Sequence, residues 1–165
     1  MTTSEATVTT SSIRVVARGM LIHQGHVLTC EGLHPLDGQL RYLLVGGGVE
    51  FGERASEAVV RGFREEIGRE VVVEGLLDVL ENIFVVGGEV GHEVVFIFAV
   101  TFAPGHEPPD LEAIDARESD ESRYLARWLP VREVAADRYR IYPDGLPRRL
   151  DKWLAEGLLE PAMAR

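Results

Sequence analysis

Cysteine is nearly absent: Cys30 is the only one in 165 residues. One sulfur allows no internal disulfide and no thiolate-rich metal cluster. It ends the apolar run Val27-Leu28-Thr29-Cys30 and reads as a small core filler, compatible with a reducing cytoplasm. Long apolar runs are missing too. A helix that crosses a membrane needs about 20 consecutive apolar residues, and the chain has no such stretch. Met1 to Ser12 is rich in Thr and Ser and carries neither a basic nor an apolar segment. Residues 1–12 therefore read as a flexible tail rather than a secretory leader. Positive charge is also scarce. Lys and Arg number 17 against 27 Asp and Glu, a net charge of -10. That balance argues against a nucleic-acid-binding surface. Solubility explains most of the acidity, and a small polyanionic substrate remains compatible where a metal and a few arginines offset the field locally.

What is present suits one α/β domain over residues 13–160 with a sizeable core, its apolar fraction being 45%. Ile13 to Ile22 reads as a strand, paired with His26 to Cys30 across Gln24-Gly25. Glu31 to Leu40 contains Pro35, Asp37 and Gly38 and reads as a loop. Arg41 to Val45 is a short strand that feeds Gly46-Gly47-Gly48. Val71 to Asn82 reads as extended, Gly87-Gly88 as a turn, and His92 to Phe102 as a buried central strand. Pro104 to Pro109 breaks the pattern; Arg127 to Leu129 is a strand, Val131 to Ala136 a short helix and Leu146 to Leu158 an amphipathic helix. No exposed apolar patch is evident.

The chemistry concentrates where Gly46-Gly47-Gly48-Val49-Glu50-Phe51-Gly52-Glu53 runs into a helix ending Arg61-Gly62-Phe63-Arg64-Glu65-Glu66-Ile67-Gly68. Glycines let backbone approach a phosphate or a metal, and adjacent carboxylates hold a hard divalent cation. Ser56 or Arg54 lies near the helix start, Ser56 being the better N-cap by type, and Gly68 makes the C′ stop. At about 100° per residue, Val59, Val60, Phe63 and Ile67 share one face, and Arg61, Gly62, Glu65 and Glu66 share the other.

This segment resembles the signature of the Nudix hydrolases: Gly, five residues, Glu, seven residues, Arg-Glu, an apolar residue, any residue, Glu-Glu, any residue, Gly and an apolar residue. Gly47, Glu53, Arg61, Phe63, Glu65, Glu66 and Gly68 match it. Gly62 stands where the family has the first Glu, and Arg69 where an apolar residue closes the pattern. The resemblance implies an α/β/α sandwich with a mixed β-sheet. It implies Mg²⁺, with Mn²⁺ as a substitute, on Glu65, Glu66 and the backbone carbonyl of Gly46. Glu53 would order a metal-bound water or Arg61. In family members that use the Glu missing at Gly62, it is a metal ligand or the general base. Three readings of Gly62 compete: a base from a later loop, Glu65 or Glu66 doing both jobs, or binding without cleavage. The first is favoured, because both metal-binding positions persist.

The base is expected between Pro104 and Trp128. There Glu121 ranks first, Glu118 next and Asp120 last, although Asp115 to Glu121 is also simply an acidic loop. His92 is a weaker candidate and reads as a turn residue. Arg61 reads equally as an ion-pair partner of Glu57 or Glu65. Glu50 reads as a loop charge or as part of the site, and Arg64 points away from the carboxylate face. Phe84, Phe96, Phe98 and Tyr124 are candidates to stack a base, against the commoner role of strand aromatics as core. The expected activity is Mg-dependent hydrolysis of a pyrophosphate bond in a nucleoside diphosphate linked to another moiety. The alternative is a catalytically silent nucleotide sensor. The partner is a small-molecule nucleotide, with neither nucleic acid nor membrane, the setting is cytoplasmic, and a homodimer is left open.

Overall fold

The computed structural model describes residues 11–33, 37–117 and 123–159. Glu118, Asp120 and Glu121 lie outside these, as do His34 and most of the expected tail. The chain runs β1 (Arg14–His23), β2 (His26–Leu33), β3 (Leu40–Gly48), α1 (Ala55–Ile67), β4 (Val71–Val86), β5 (Glu89–Phe102), β6 (Ile114–Arg117), β7 (Arg123–Pro130), α2 (Val131–Ala135), β8 (Ile141–Tyr142) and α3 (Leu146–Ala155). The strands follow the order β4-β5-β1-β3-β2-β7-β6, with β8 beside β3. β1 lies parallel to β5 and antiparallel to β3, so the sheet is mixed.

Strand alternation explains the layering. Val16, Leu44, Val95 and Ile97 face one side, where they pack with Val131, Val134, Leu146, Leu150 and Trp153 of α2 and α3. Ala17, Val45, Phe98 and Val100 face the other and pack with Ala58, Val59, Phe63 and Ile67 of α1. Central strands are covered on both faces, which is why they read as near-continuous apolar runs. The expected α/β/α sandwich is the observed one. Phe63 is fully buried, and its ring passes so close to β1 that a Cβ on Gly19 would lie 2.5 Å from it. Truncating a side chain so placed costs about 3–5 kcal/mol.

Local departures have identifiable causes. β2 continues through Glu31 to Leu33, where a loop was expected, because Glu31 pairs with Tyr42 of β3 and its carboxylate holds Arg127. Ser56 is not the N-cap. Arg54 caps α1, and the Glu57 carboxylate reaches back to the Arg54 N–H at 2.9 Å, the carboxylate half of a capping box. Gly68 closes the helix as expected, with φ 65° and its N–H on the Arg64 carbonyl. β6 and β8 were not foreseen; they are four and two residues long, too short for periodicity to register. The β4–β5 hairpin exposes Ile83, Val85 and Val90. This corrects the expectation of no exposed apolar patch, since facing strands gather residues that are scattered in sequence.

Candidate active site

The site is built on a tight seam between β3 and α1. The three glycines are strand, not loop: Gly46, Gly47 and Gly48 stand opposite Arg18, Ala17 and Val16 of β1. Gly46 has φ 150°, and a Cβ there would lie 2.1 Å from the Ala17 carbonyl oxygen. α1 rests on this strand at Gly62, where a Cβ would lie 2.8 Å from the Gly46 Cα and 2.9 Å from its carbonyl carbon. Gly62 is thus buried in the seam, not displayed on the polar face with Arg61, Glu65 and Glu66. A rotation of about 100° per residue places it at the edge of the core stripe, and the approaching backbone covers it.

Arg61 ties the seam together. Its Nε donates to Glu53 Oε1 at 2.8 Å and its Nη2 to Glu53 Oε2 at 2.9 Å. Nη2 also reaches the Gly48 carbonyl at 2.8 Å, and Nη1 reaches Glu65 Oε2 at 3.0 Å. Glu50 stands farther off, at 3.9 Å. Glu53 also accepts the Glu50 N–H at 3.0 Å, which fastens the turn leading to α1. The Arg61 hydrogen bonds, followed by the Glu50 N–H, hold the Glu53 carboxyl down to about 2 against an opposing push from burial. Hydrogen bonding to Glu53 raises the Arg61 guanidinium in turn. Of the two partners expected for Arg61, Glu65 is engaged and Glu57 is spent on the cap.

The two neighbouring carboxylates serve different partners. Glu65 is exposed and held by Arg61. Glu66 Oε2 accepts the Tyr124 hydroxyl at 2.9 Å and the Cys30 thiol at 3.7 Å. Burial, and then the Glu66 charge, push the Cys30 thiol up. Burial, and then Cys30 and Glu66, do the same to the Tyr124 phenol. Both stay protonated as donors at neutral pH. A cavity of about 210 Å³ opens here, lined by Arg18, Cys30, Glu31, Leu43, Glu66 and Tyr124 among others. Arg18 Nη1 donates to the Leu44 carbonyl at 3.2 Å and to the Gly46 carbonyl at 3.1 Å. The Gly46 oxygen, expected on a metal, accepts one bond from a guanidinium and keeps a second lone pair. Among the described residues, no three His, Cys, Asp or Glu side chains converge as a metal cage. Glu65 and Glu66 remain as hard oxygen donors adjacent in the chain, a set that suits one divalent ion completed by water and phosphate oxygens.

The other expected residues fall elsewhere. His92 pairs with Glu81 at 2.8 Å on the β4–β5 hairpin, away from α1. Arg64 pairs with Glu70, consistent with its pointing away from the carboxylates. His106 accepts the Glu70 N–H through Nδ1 at 3.1 Å. Phe96 and Phe98 stack on each other with centroids 6.4 Å apart. Tyr124 binds a carboxylate, and Phe84 lines a second cavity. Sequence reasoning missed Arg18. Its signal was a charge within the otherwise apolar run Val15-Val16-Ala17-Arg18-Gly19-Met20-Leu21. Cys30 was placed correctly as buried, but its contact with Glu66 is tertiary and leaves no trace in spacing.

A glycine-bearing strand is clamped to a carboxylate helix by one arginine inside an α/β/α sandwich, the arrangement the Nudix signature implies. A NUDIX domain family profile matches residues 13–149. The chain belongs to the Nudix hydrolases, the pyrophosphohydrolases that act on nucleoside diphosphates linked to another moiety. Solved structures agree on the fold. The Escherichia coli ORF135 protein is 22% identical, with 92% of this chain and 93% of that one covered and a TM-score of 0.60. A NUDIX hydrolase from Nitrosomonas europaea is 15% identical, covering 88% and 90% with a TM-score of 0.62. A MutT protein from Methanosarcina mazei is 15% identical, covering 89% and 96% with a TM-score of 0.63. No curated protein matches the chain.

Proposed function

We propose that this chain hydrolyses a pyrophosphate bond in a nucleoside diphosphate linked to another moiety, with Mg²⁺ held by Glu65 and Glu66 and Mn²⁺ able to replace it. The observation that carries this reading is the Arg61 clamp, which joins the Gly48 carbonyl, Glu53 and Glu65 within 3.0 Å. A divalent ion bound there offsets charge on pyrophosphate oxygens and lowers the pKa of a bound water. The rest is work for the chain. Arg61 fixes the Glu65 rotamer, while Tyr124 and Cys30 orient Glu66. Glu53, ionised through the working pH range, keeps Arg61 in place. A carboxylate in residues 118–121, with Glu121 ahead of Glu118, takes the proton of the attacking water. Support for that assignment comes from both ends of the segment. Ala116 shares a core cluster with Val59 and Phe63 of α1, and Tyr124 donates to Glu66.

A cytoplasmic setting and a small-molecule nucleotide partner belong to the same reading. Among the described residues no helix is long and apolar enough to cross a membrane. The second reading, a silent nucleotide sensor, is favoured by Gly62, which removes one carboxylate from the signature. A panel of nucleoside triphosphates, nucleotide sugars, ADP-ribose and dinucleoside polyphosphates, with Mg²⁺ or Mn²⁺, separates the two. Metal-dependent release of a nucleoside monophosphate supports the hydrolase, and saturable binding without product supports the sensor.

A further inference from the structure

Arg18 and Leu43 also line a second cavity of about 400 Å³. Four guanidiniums surround it: Arg14 and Arg18 from β1, Arg41 from β3, and Arg140 from the segment before β8. The carboxylates in its lining are Glu93 and Asp144. The cavity therefore carries an excess of positive charge in a chain whose net charge is -10. Surface arginines usually face solvent or pair locally, and two of these do pair. Arg14 meets Glu93 at 3.4 Å and Arg140 meets Asp37 at 3.1 Å. Among the described residues, Arg18 and Arg41 do not meet a carboxylate. Arg18 donates to two carbonyls, and its Nε is buried with no partner among the described residues. Arg41 is half-buried, and its guanidinium has no hydrogen-bond or ion-pair partner among the described residues. Opposite them, Asn82 donates to the Tyr142 hydroxyl at 2.9 Å, and that hydroxyl donates to Glu93. This chain of bonds occupies Glu93 internally and leaves Arg41, and the part of the Arg18 guanidinium not engaged by the two carbonyls, without an anionic partner among the described residues.

We propose that this cavity is a second anion site, which takes a phosphoryl group of the substrate standing apart from the scissile pyrophosphate. Guanidinium forks match phosphate oxygens in geometry and stay charged at any working pH. A neutral base can use one guanidinium by stacking or hydrogen bonding, but it does not offset the charge of four. The aromatic pair in the lining offers no parallel slot for one, because Phe84 and Tyr142 meet edge to face, 82° apart with centroids at 6.4 Å. Arg18 lines both cavities, so a single ligand can lie across them, its pyrophosphate toward α1 and its second phosphate toward Arg41. Only the word substrate rests on the proposed hydrolase reading; the anion site itself does not require turnover.

The test uses inorganic phosphate and the full chain in EDTA, with binding followed by ³¹P line width. Wild-type protein is expected to bind phosphate saturably. Arg41→Gln is expected to weaken binding at least about tenfold, the loss of one charge-assisted hydrogen bond. Arg148→Gln, an exposed change on α3 outside the cavity, is expected to leave it alone. No saturable binding, or equal losses in the two variants, overturns the site. In turnover with Mg²⁺, diphosphate substrates that carry a further phosphate are expected to show the higher kcat/KM, and Arg41→Gln to erase that preference. Equal kcat/KM for both kinds of substrate overturns the substrate assignment. Phosphate binding without turnover of any substrate refutes the hydrolase reading and leaves the anion site standing.

Discussion

Glu53→Gln tests whether the Arg61 clamp is an ionic structure or a passive contact. Gln keeps the shape and one acceptor but removes the charge that receives two bonds from Arg61. Glu53 titrates near 2 in the folded chain against an ordinary 4.5. At about 1.36 kcal/mol per pH unit, that interval caps its pH-linked stabilisation at about 3.4 kcal/mol. The Glu53 side chain is 17% exposed and Arg61 24%, so solvent screening reduces the expected loss to about 2 kcal/mol at pH 7. The sign follows from the depressed value. The contribution is complete above pH 4.5 and fades as pH falls toward 2. Urea unfolding of both proteins between pH 7 and pH 3 gives the difference directly, and the other carboxylates cancel in it. A gap of about 2 kcal/mol that narrows below pH 4.5 fits the clamp. A gap that is absent at pH 7, or constant with pH, refutes an ionic role for Glu53.

Gly62→Glu restores the family residue but sets a Cβ 2.8 Å from the Gly46 Cα. Overpacking against backbone costs about 1–3 kcal/mol, and helix propensity returns only about 1. A lower urea midpoint with no gain in turnover is expected, while increased activity at unchanged stability contradicts the seam. Glu66→Gln is expected to abolish metal-dependent turnover and weaken Mn²⁺ binding seen by electron paramagnetic resonance, with the circular dichroism spectrum intact; unchanged Mn²⁺ affinity removes Glu66 from the ligand set. Glu121→Gln is expected to slow turnover by about 10²-fold or more, the usual worth of a general base, and if Glu118→Gln proves the damaging change the ranking of the two is reversed.

The signature stretch carried most of what was legible. Glu53, Arg61 and Glu65 lie on one turn and one helix, so their spacing brings them within reach of one another, whereas Glu66 on the same helix turns to Tyr124 and Cys30. The long strands β1, β4 and β5 were legible from apolar runs, and Gly68 from its place after the last apolar helical residue. Gly62 was legible as an exception but not as a contact, because its neighbour Gly46 approaches through the β1–β3 pairing. Arg18 and Tyr124 were misjudged for the same reason: each acts on a residue 28 or 58 positions away. The N-cap was misassigned because preference by residue type favoured Ser56, whereas the Glu57 carboxylate settles the cap one turn back at Arg54.

Two features at the heart of the site, Gly62 and Arg18, act in the same electrostatic direction. Gly62 removes one negative charge from the family pattern, and Arg18 adds a positive one at the Gly46 carbonyl. Arg61 does not alter that balance, because Glu53 is ionised and pairs with it. On the proposed reading, Glu65 and Glu66 together match the charge of one divalent ion. The next carboxylates along the turn, Glu50 and Glu53, are both turned to Arg61. A unit charge 4 Å from another is worth about 4 kcal/mol at an effective dielectric constant of about 20, so a second divalent ion beside Arg18 meets repulsion of that order or more. On that reading Arg18 supplies fixed positive charge beside the Gly46 carbonyl, where it donates at 3.1 Å. Glycine at position 62 lets α1 settle onto β3 at Gly46, so the helix that carries Glu65 and Glu66 and the guanidinium of Arg18 converge on one residue of the strand.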